Sequence, residues 1–316
     1  MKKIVFYTQP EWAFGAIHYE LCKYLFKYGI DAHLLPWTAA YTKEELQELD
    51  KATDLFITNQ HGYANLVYGY GAISPEKIMV TAHATLDLEE LIQRHGLNEY
   101  KKPKAYTVVT KFLQEKSKEL GISRIPAITP IAINTNSYDF PPSARLQTVG
   151  FAGSFHQRDE FNDALINGPM SQPKFKKRGY LAEECAKAAG LDFKVAQFYH
   201  NSFITMPGYY KSVDCVIIAS AEEGAGLPAL EAGAAGKLVI STPVGHWQER
   251  VGEAGGHTVP ILEADFVRKT VKLLQDYKEH PKKYHLKCVA TQKHAQQYDW
   301  SQVIGSWVAA ITAATA

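Results

Sequence analysis

Val213 to Val251 reads VDCVIIASAEEGAGLPALEAGAAGKLVISTPVGHWQERV, and the order of its parts sets the fold. Cys215 to Ala219 is a short apolar run, the length of a buried parallel strand. Glu223-Gly224-Ala225-Gly226 follows as a glycine-rich turn. Pro228 suits the first turn of a helix and Gly236 suits its end, so a helix is predicted from about Leu227. Leu238 to Ile240 closes the strand–loop–helix–strand unit. A helix N-terminus behind a glycine loop offers unpaired N–H groups and the positive end of a dipole, a setting for an anion such as a diphosphate.

Two carboxylates sharpen this reading. Glu223 lies in the loop, and Glu231 stands eight positions on, about two helical turns along. On chemistry alone, either both face one ligand, or Glu223 caps the helix and Glu231 lies on a solvated face. The run Glu223-Gly224-x-Gly226-Leu227-Pro228-x-x-Glu231-Ala232 resembles the E-x7-E motif of the GT-B-fold retaining glycosyltransferases of family 4. Tyr209-Tyr210-Lys211-Ser212-Val213-Asp214 resembles the helix end that precedes the motif in that family, and Val244-Gly245 through Glu249 the loop that follows it. The resemblance implies that Glu223 lies over a donor sugar and that Glu231 holds ribose hydroxyls. It also implies that the amides of Gly226 and Leu227 touch the diphosphate.

Composition limits the alternatives. The 316 residues suffice for two domains, and 46% hydrophobic with 21% charged residues describes a globular protein. A formal net charge of +1 argues against a mainly electrostatic partner such as duplex DNA or an anionic membrane. Cys22, Cys185, Cys215 and Cys288 are scattered without metal-type spacing and read as reduced, mostly buried thiols. Met1-Lys2-Lys3 leads straight into a strand-like run, and no apolar stretch is long enough to span a bilayer, so a cytoplasmic location is expected.

Moving outward to the N-terminal half, Lys3–Thr8 reads as a strand, Gln9–Gly15 as a loop, Ala16–Tyr28 as a helix and Ala32–Leu35 as a second strand, a Rossmann-like beginning. Thr42–Lys51 reads as a polar helix and Leu55–Thr58 as a strand. Asn59–Ser74 interleaves Gly62, Gly69 and Gly71 with Tyr63, Tyr68 and Tyr70. It reads as a loop that either stacks on an acceptor or packs on itself. His83 ends the next strand. The resemblance places it beside the reacting sugar and brings Gly15 against the donor phosphates, although Phe14 and Ala84 depart from the family pattern. Tyr106–Leu120 reads as strand then helix, and Tyr138–Ala144 as an interdomain linker.

The second half opens with the strand Gln147–Phe151 and Gly153-Ser154, which in the family precedes a basic pair for the diphosphate. Arg158 stands at the nearer spacing, with Asp159 where a Lys is expected. Lys176-Lys177-Arg178-Gly179 stands directly before the helix Tyr180–Ala189. Cationic neutralisation of a diphosphate leaving group is needed as charge builds on it. Lys177 and Arg178 are the favoured pair, with Arg158 retained. Further on, Val259–Ile261 reads as a strand, and helices are expected over Ala264–Gln275, His280–Gln297 and Ser301–Ala313.

These readings give an α/β protein of GT-B architecture, with two Rossmann-like domains facing across a cleft and a C-terminal helix crossing back. The expected domains are residues 1–143 with about 301–316 for the acceptor, and 144–300 for the nucleotide-sugar donor. The expected function is retaining transfer of a sugar from a nucleotide-diphosphate sugar to a hydroxyl, on a saccharide or glycoconjugate. His83 and Glu223 would orient the sugar while the leaving phosphate takes the acceptor proton. The sequence contains no Asp-x-Asp, so no metal cofactor is expected. Three other readings stay open: transfer to a modified nucleobase in DNA, a nucleotide-sugar epimerase, and a catalytically lapsed sugar-nucleotide binding protein.

Overall fold

The computed structural model describes residues 1–11, 13–124, 126–155, 177–196 and 202–316. The chain forms two compact units, Met1–Ala132 with Trp300–Ala316, and Ile133–Asp299.

In the first unit, β1 (Lys2–Thr8), β2 (Ile30–Pro36), β3 (Leu55–Thr58), β4 (Ile78–Ala82), β5 (Ala105–Val108) and β6 (Ala127–Ile128) form a parallel sheet in the order β2-β1-β3-β4-β5-β6. Helices α1 (Ala13–Phe26), α2 (Lys43–Ala52), α3 (Gln60–Ala64), α4 (Thr85–His95) and α5 (Lys111–Glu119) run between the strands. Every residue of β3 and β4 is buried, which explains their unbroken apolar runs: a parallel strand is covered on both faces. Sequence chemistry marks the helix starts. Thr42 and Glu45 form a reciprocal capping box on α2, and Thr110 accepts the Leu113 amide at the start of α5.

In the second unit, β7 (Thr148–Ala152), β8 (Asp192–Ala196), β9 (Cys215–Ile218), β10 (Leu238–Ser241) and β11 (His257–Thr258) pair in parallel in the order β11-β10-β9-β7-β8. The helices are α6 (Gly179–Ala188), α7 (Met206–Lys211), α8 (Leu227–Ala234), α9 (Glu263–Glu279) and α10 (Pro281–Ala295). One face buries Leu181, Phe266, Leu274 and Tyr284, and the other buries Tyr210, Leu230, Trp247 and Tyr298. In chain order the two sheets share one pattern. The second strand lies outside the first, and the third lies on the first strand's other side. Each sheet therefore has a reversal point, between β1 and β3 and between β7 and β9. Open parallel sheets bind ligands beyond their strand ends at such points.

Several expectations need correction. The boundary falls at Ala132/Ile133 rather than after residue 143. The expected linker is stitched to the second unit: the Ser143 amide bonds the Gly236 carbonyl, Lys237 bonds the Ser143 hydroxyl, and Gln292 bonds the Phe140 carbonyl. Two adjacent prolines give an extended segment whether it is free or packed, so sequence did not distinguish the cases. The Asn59–Ser74 loop is helical over Gln60–Gly69, running from α3 into a π-helical turn, with Asn59 capping through the Gly62 amide. Helix α4 was not foreseen. Its start is fixed by the Asp87 carboxylate, which accepts from the His83 and Ala84 amides. The Val259–Ile261 strand is instead His257–Thr258.

The C-terminal helix α11 (Trp300–Ala314) belongs to the first unit, where the Trp307 indole donates to the Pro130 carbonyl at 2.8 Å. All four cysteines are free, three of them buried. Among the described residues, no helix is long and apolar enough to cross a membrane.

Candidate active site

The second unit gathers most of the foreseen residues at its reversal point. Gly153 and Ser154 follow β7, Glu223 lies in the loop after β9, and Lys177 stands just before α6. Glu223 accepts a hydrogen bond from the Ser220 hydroxyl at 2.7 Å, and the same oxygen forms an ion pair with Lys177. Residues 46 positions apart, one expected at the diphosphate and one at the donor sugar, are therefore in direct contact. Gly153 lies against the Lys177 stem, since a Cβ there would meet Lys177 Cδ at 3.9 Å.

The loop between β9 and α8 has a special backbone. Gly226, the residue before the helix, has φ +80°, a region that suits glycine. Pro228 occupies the first turn, no side chain caps α8, and the Ala229 amide bonds the Gly226 carbonyl at 3.2 Å. Gly245 also has positive φ, and a Cβ on it would come within 2.6 Å of the Ala225 carbonyl. That carbonyl accepts the His246 amide at 2.8 Å, so the loop after β10 clamps the glycine loop in place. The His246 ring is buried with neither nitrogen partnered, and burial depresses its pKa to about 3.

Glu231 is buried in α8, not on a solvated face. Its two oxygens accept from the Tyr138 hydroxyl at 3.0 Å and the Tyr210 hydroxyl at 2.7 Å. Burial raises its pKa, and the two tyrosine hydrogen bonds oppose that rise. A carboxylate has about four acceptor positions, so the tyrosines leave capacity for a ligand diol. Neither tyrosine was assigned a role from sequence. Tyr138 comes from the supposed linker and Tyr210 from α7, and no local pattern links either to Glu231.

Arg178 differs from the expectation of a ligand-binding cation. Its guanidinium donates to the Ala219 and Ile261 carbonyls, both at 2.7 Å, and the residue is buried at φ +47°. Two of its donors therefore tie loops of its own unit together, leaving Nη2 buried without a partner. Lys177 is the more available cation of the pair. Arg158 lies outside the described residues.

The first unit holds the remaining candidates. Gly15 sits in the first turn of α1, where a Cβ would lie 2.0 Å from the Pro10 carbonyl, so close backbone packing already requires it. His83 follows β4 and is buried beside Phe14, ring centroids 4.7 Å apart, with Nε2 unpartnered. Burial lowers its pKa to about 3, so the ring is neutral at pH 7. Tyr63 is fully buried and donates to Glu99 at 2.6 Å, which removes it from any stacking surface. Tyr68 stacks on His95 at 4.3 Å and donates to the same Glu99. Tyr70 is half-buried. Two of the three tyrosines thus satisfy one buried carboxylate, the self-packed arrangement.

Comparison with known proteins bears on the fold. Residues 148–276 match the family model Glycosyl transferases group 1. Sucrose-phosphate synthase from Thermosynechococcus elongatus superposes with TM-score 0.67 at 15% identity, covering 99% of this chain and 100% of that one. HepE of Anabaena, in complex with UDP and glucose, gives TM-score 0.66 at 15% identity with the same coverages. A mutant form of TarM of S. aureus, in complex with UDP, fondaparinux and α-GlcNAc-glycerol, gives 0.59 at 10% identity, covering 84% of this chain and 57% of that one. No curated protein sequence matches significantly. The fold is that of GT-B glycosyltransferase structures, and the match to the family model lies within the second unit.

Proposed function

We propose that the protein moves a sugar from a nucleotide-diphosphate sugar to an acceptor hydroxyl with retention of anomeric configuration, without a metal ion. The observation that carries this reading is the Lys177–Glu223 pair beside the N-terminus of α8, with Glu231 buried one turn further on. A diphosphate is the natural ligand for an ammonium group and free helix amides, and Glu231 is suited to a ribose diol. HepE also crystallises with UDP-glucose, which makes that compound the first donor to test here.

In the proposed reaction the acceptor oxygen attacks the anomeric carbon on the face that the diphosphate leaves. The carbon–oxygen bond to the β-phosphate breaks, and its electron pair stays on the phosphate. A phosphate oxygen takes the acceptor proton. Lys177 and the amides of Gly226 and Leu227 stabilise the growing charge. Glu223 accepts hydrogen bonds from sugar hydroxyls, and Ser220 holds its carboxylate in orientation. Neutral His83 orients a sugar hydroxyl and carries no proton through the reaction. The acceptor is a saccharide or glycoconjugate, and free thiols suit a cytosolic setting.

The test is a thermal-shift titration with UDP-glucose and other sugar nucleotides, followed by assay of sugar transfer or hydrolysis. Saturating donor at about 100 times its Kd stabilises the fold by about 2.7 kcal/mol. If no sugar nucleotide shifts the melting transition, the reading is wrong.

A further inference from the structure

The chain passes between its two units twice, at Ala132/Ile133 and at Asp299/Trp300. The second unit pins its own sides of both crossings together. The Ile133 amide donates to the Tyr298 carbonyl at 3.0 Å, and Ile133 pairs with Asp299 as an isolated parallel bridge. Tyr298 is buried, its hydroxyl 2.5 Å from the Arg250 carbonyl and 2.6 Å from His294 Nε2. The backbone that presents Asp299 is therefore held on both sides.

From this fixed place Asp299 starts a helical turn that is remote in sequence. Its Oδ2 accepts from the Thr135 amide at 3.1 Å and from the Thr135 hydroxyl at 3.0 Å, across 164 positions. Thr135 opens the single 3-10 turn Thr135–Tyr138, and Asn134, in the capping position, makes no side-chain cap bond. So short a turn has little stability of its own, and outside contacts decide where it lies. Asp299 fixes its first residue. Its last residue is Tyr138, whose hydroxyl donates to Glu231 Oε1 at 3.0 Å. The Tyr138 ring packs edge-on against Tyr210 at 5.8 Å, and Tyr210 bonds the other Glu231 oxygen.

Hydrogen bonds weaken steeply as distance and angle depart from their optimum, and a rigid tyrosine ring passes a backbone shift on to its hydroxyl. We propose that Asp299 is a positioning residue for donor binding: through Thr135 and the turn that follows, it sets the Tyr138 hydroxyl on Glu231. The donor part of this statement rests on the glycosyltransferase reading, and the hold on Glu231 does not.

The experiment uses the full chain and two readouts. The first is the titration of Glu231, followed by NMR of protein isotope-labelled at its glutamate carboxyls, with the signal assigned by its loss in Glu231→Gln. Burial raises that carboxyl and the bonds from Tyr210 and Tyr138 lower it, so a displaced Tyr138 raises it further. The second is UDP-glucose affinity. Asp299→Ala should raise the Glu231 titration point and weaken UDP-glucose about fivefold, the scale of one hydrogen bond. Asp299→Asn keeps an oxygen that accepts both Thr135 bonds and should restore most of each readout. In a Tyr138→Phe background, Asp299→Ala should have little further effect, because both act through one hydroxyl.

An unmoved Glu231 titration in Asp299→Ala overturns the proposal. So do effects that add in full to those of Tyr138→Phe, which would mean that Asp299 acts on the fold at large. Asp299→Asn as impaired as Asp299→Ala would mean that charge alone matters, and the route through Thr135 falls. If Glu231 shifts as expected but no sugar nucleotide binds the wild type, the hold on Glu231 stands and the glycosyltransferase reading fails. Should Asp299→Ala not fold, Thr135→Val, which loses the hydroxyl bond alone, decides by the same two readouts.

Discussion

The two sheets follow the same strand order up to their fifth strand, yet their reversal points carry opposite chemistry. The second unit's end has an ammonium–carboxylate pair, glycines at positive φ and a buried glutamate held by two tyrosines. The first unit's end has aromatic rings, two neutral histidines and buried hydroxyl and amide groups. Topology fixes where a ligand binds, and side chains fix its class. As proposed, one strand pattern serves a charged diphosphate in one unit and an uncharged ligand in the other.

The comparison is broken most severely at the charged end. Lys177→Ala and Glu223→Gln should each lower the transfer rate by about 100-fold to 1,000-fold, the usual loss for one group aimed at developing charge. The same substitutions should change unfolding free energy by less than about 1 kcal/mol, because a partly exposed ion pair contributes little to stability. Donor-turnover kinetics and urea unfolding separate the two effects. A large stability loss with unchanged turnover would make the pair structural.

Acid acts on both ends with a defined sign. His18 and His83 in the first unit and His246 in the second are neutral in the fold because burial depresses their pKa, to about 3 for His83 and His246. Unfolding releases each to an ordinary value near 6.5. Below that pH the unfolded chain binds more protons, so stability falls as pH falls. At pH 5 His83 and His246 each contribute a loss of about 2 kcal/mol relative to pH 7, and His18 acts in the same direction. Asp87 works in the opposite sense. Burial raises its carboxyl to about 6, so protonation on the way down favours the fold and returns about 1 kcal/mol. Urea unfolding at pH 7, 6 and 5 should show a net decline, flattened in His83→Asn. A flat wild-type profile would mean that these histidines take up protons inside the fold.

The same contrast explains what sequence revealed. The charged end is written locally. Glu223, Gly226, Pro228 and Glu231 sit within nine residues, and glycine and proline signal the loop and helix without reference to the rest of the chain. The alternating order of strands and helices was equally legible, because buried parallel strands are short apolar runs. The aromatic end is written nonlocally. Phe14, Trp37, His61 and His83 each follow a different element, and only the sheet register brings their rings together. Tyr138 and Tyr210 were hidden for the same reason. The Tyr63–Tyr70 stretch misled in the other direction, because interleaved glycines suggested a loop where the chain is helical.

Tyr210→Phe probes this hidden support. Removing the hydroxyl leaves one oxygen of buried Glu231 without its tyrosine donor, which should cost about 1–2 kcal/mol of stability. The carboxyl would rise further, since a bond that favours the charged form is lost. Donor affinity should weaken about tenfold, read from the UDP-glucose titration, and less at pH 8 than at pH 6, because higher pH restores the carboxylate. An affinity loss that does not depend on pH would show that Tyr210 acts by packing alone.

The smallest effect tests whether the two ends are separate devices. Thr42 caps α2 in the first unit, and the segment from Trp37 to Thr42 joins that cap to β2, with the Tyr41 hydroxyl bonded to the Pro36 carbonyl at 2.8 Å. Thr42→Ala removes the side-chain acceptor for the Glu45 amide and should cost about 1 kcal/mol in urea unfolding. The UDP-glucose response, which depends on Lys177, Glu223 and Glu231, should be unchanged. If the donor response falls as well, the two strand ends do not divide donor from acceptor, and the chemical contrast between them does not describe a division of labour.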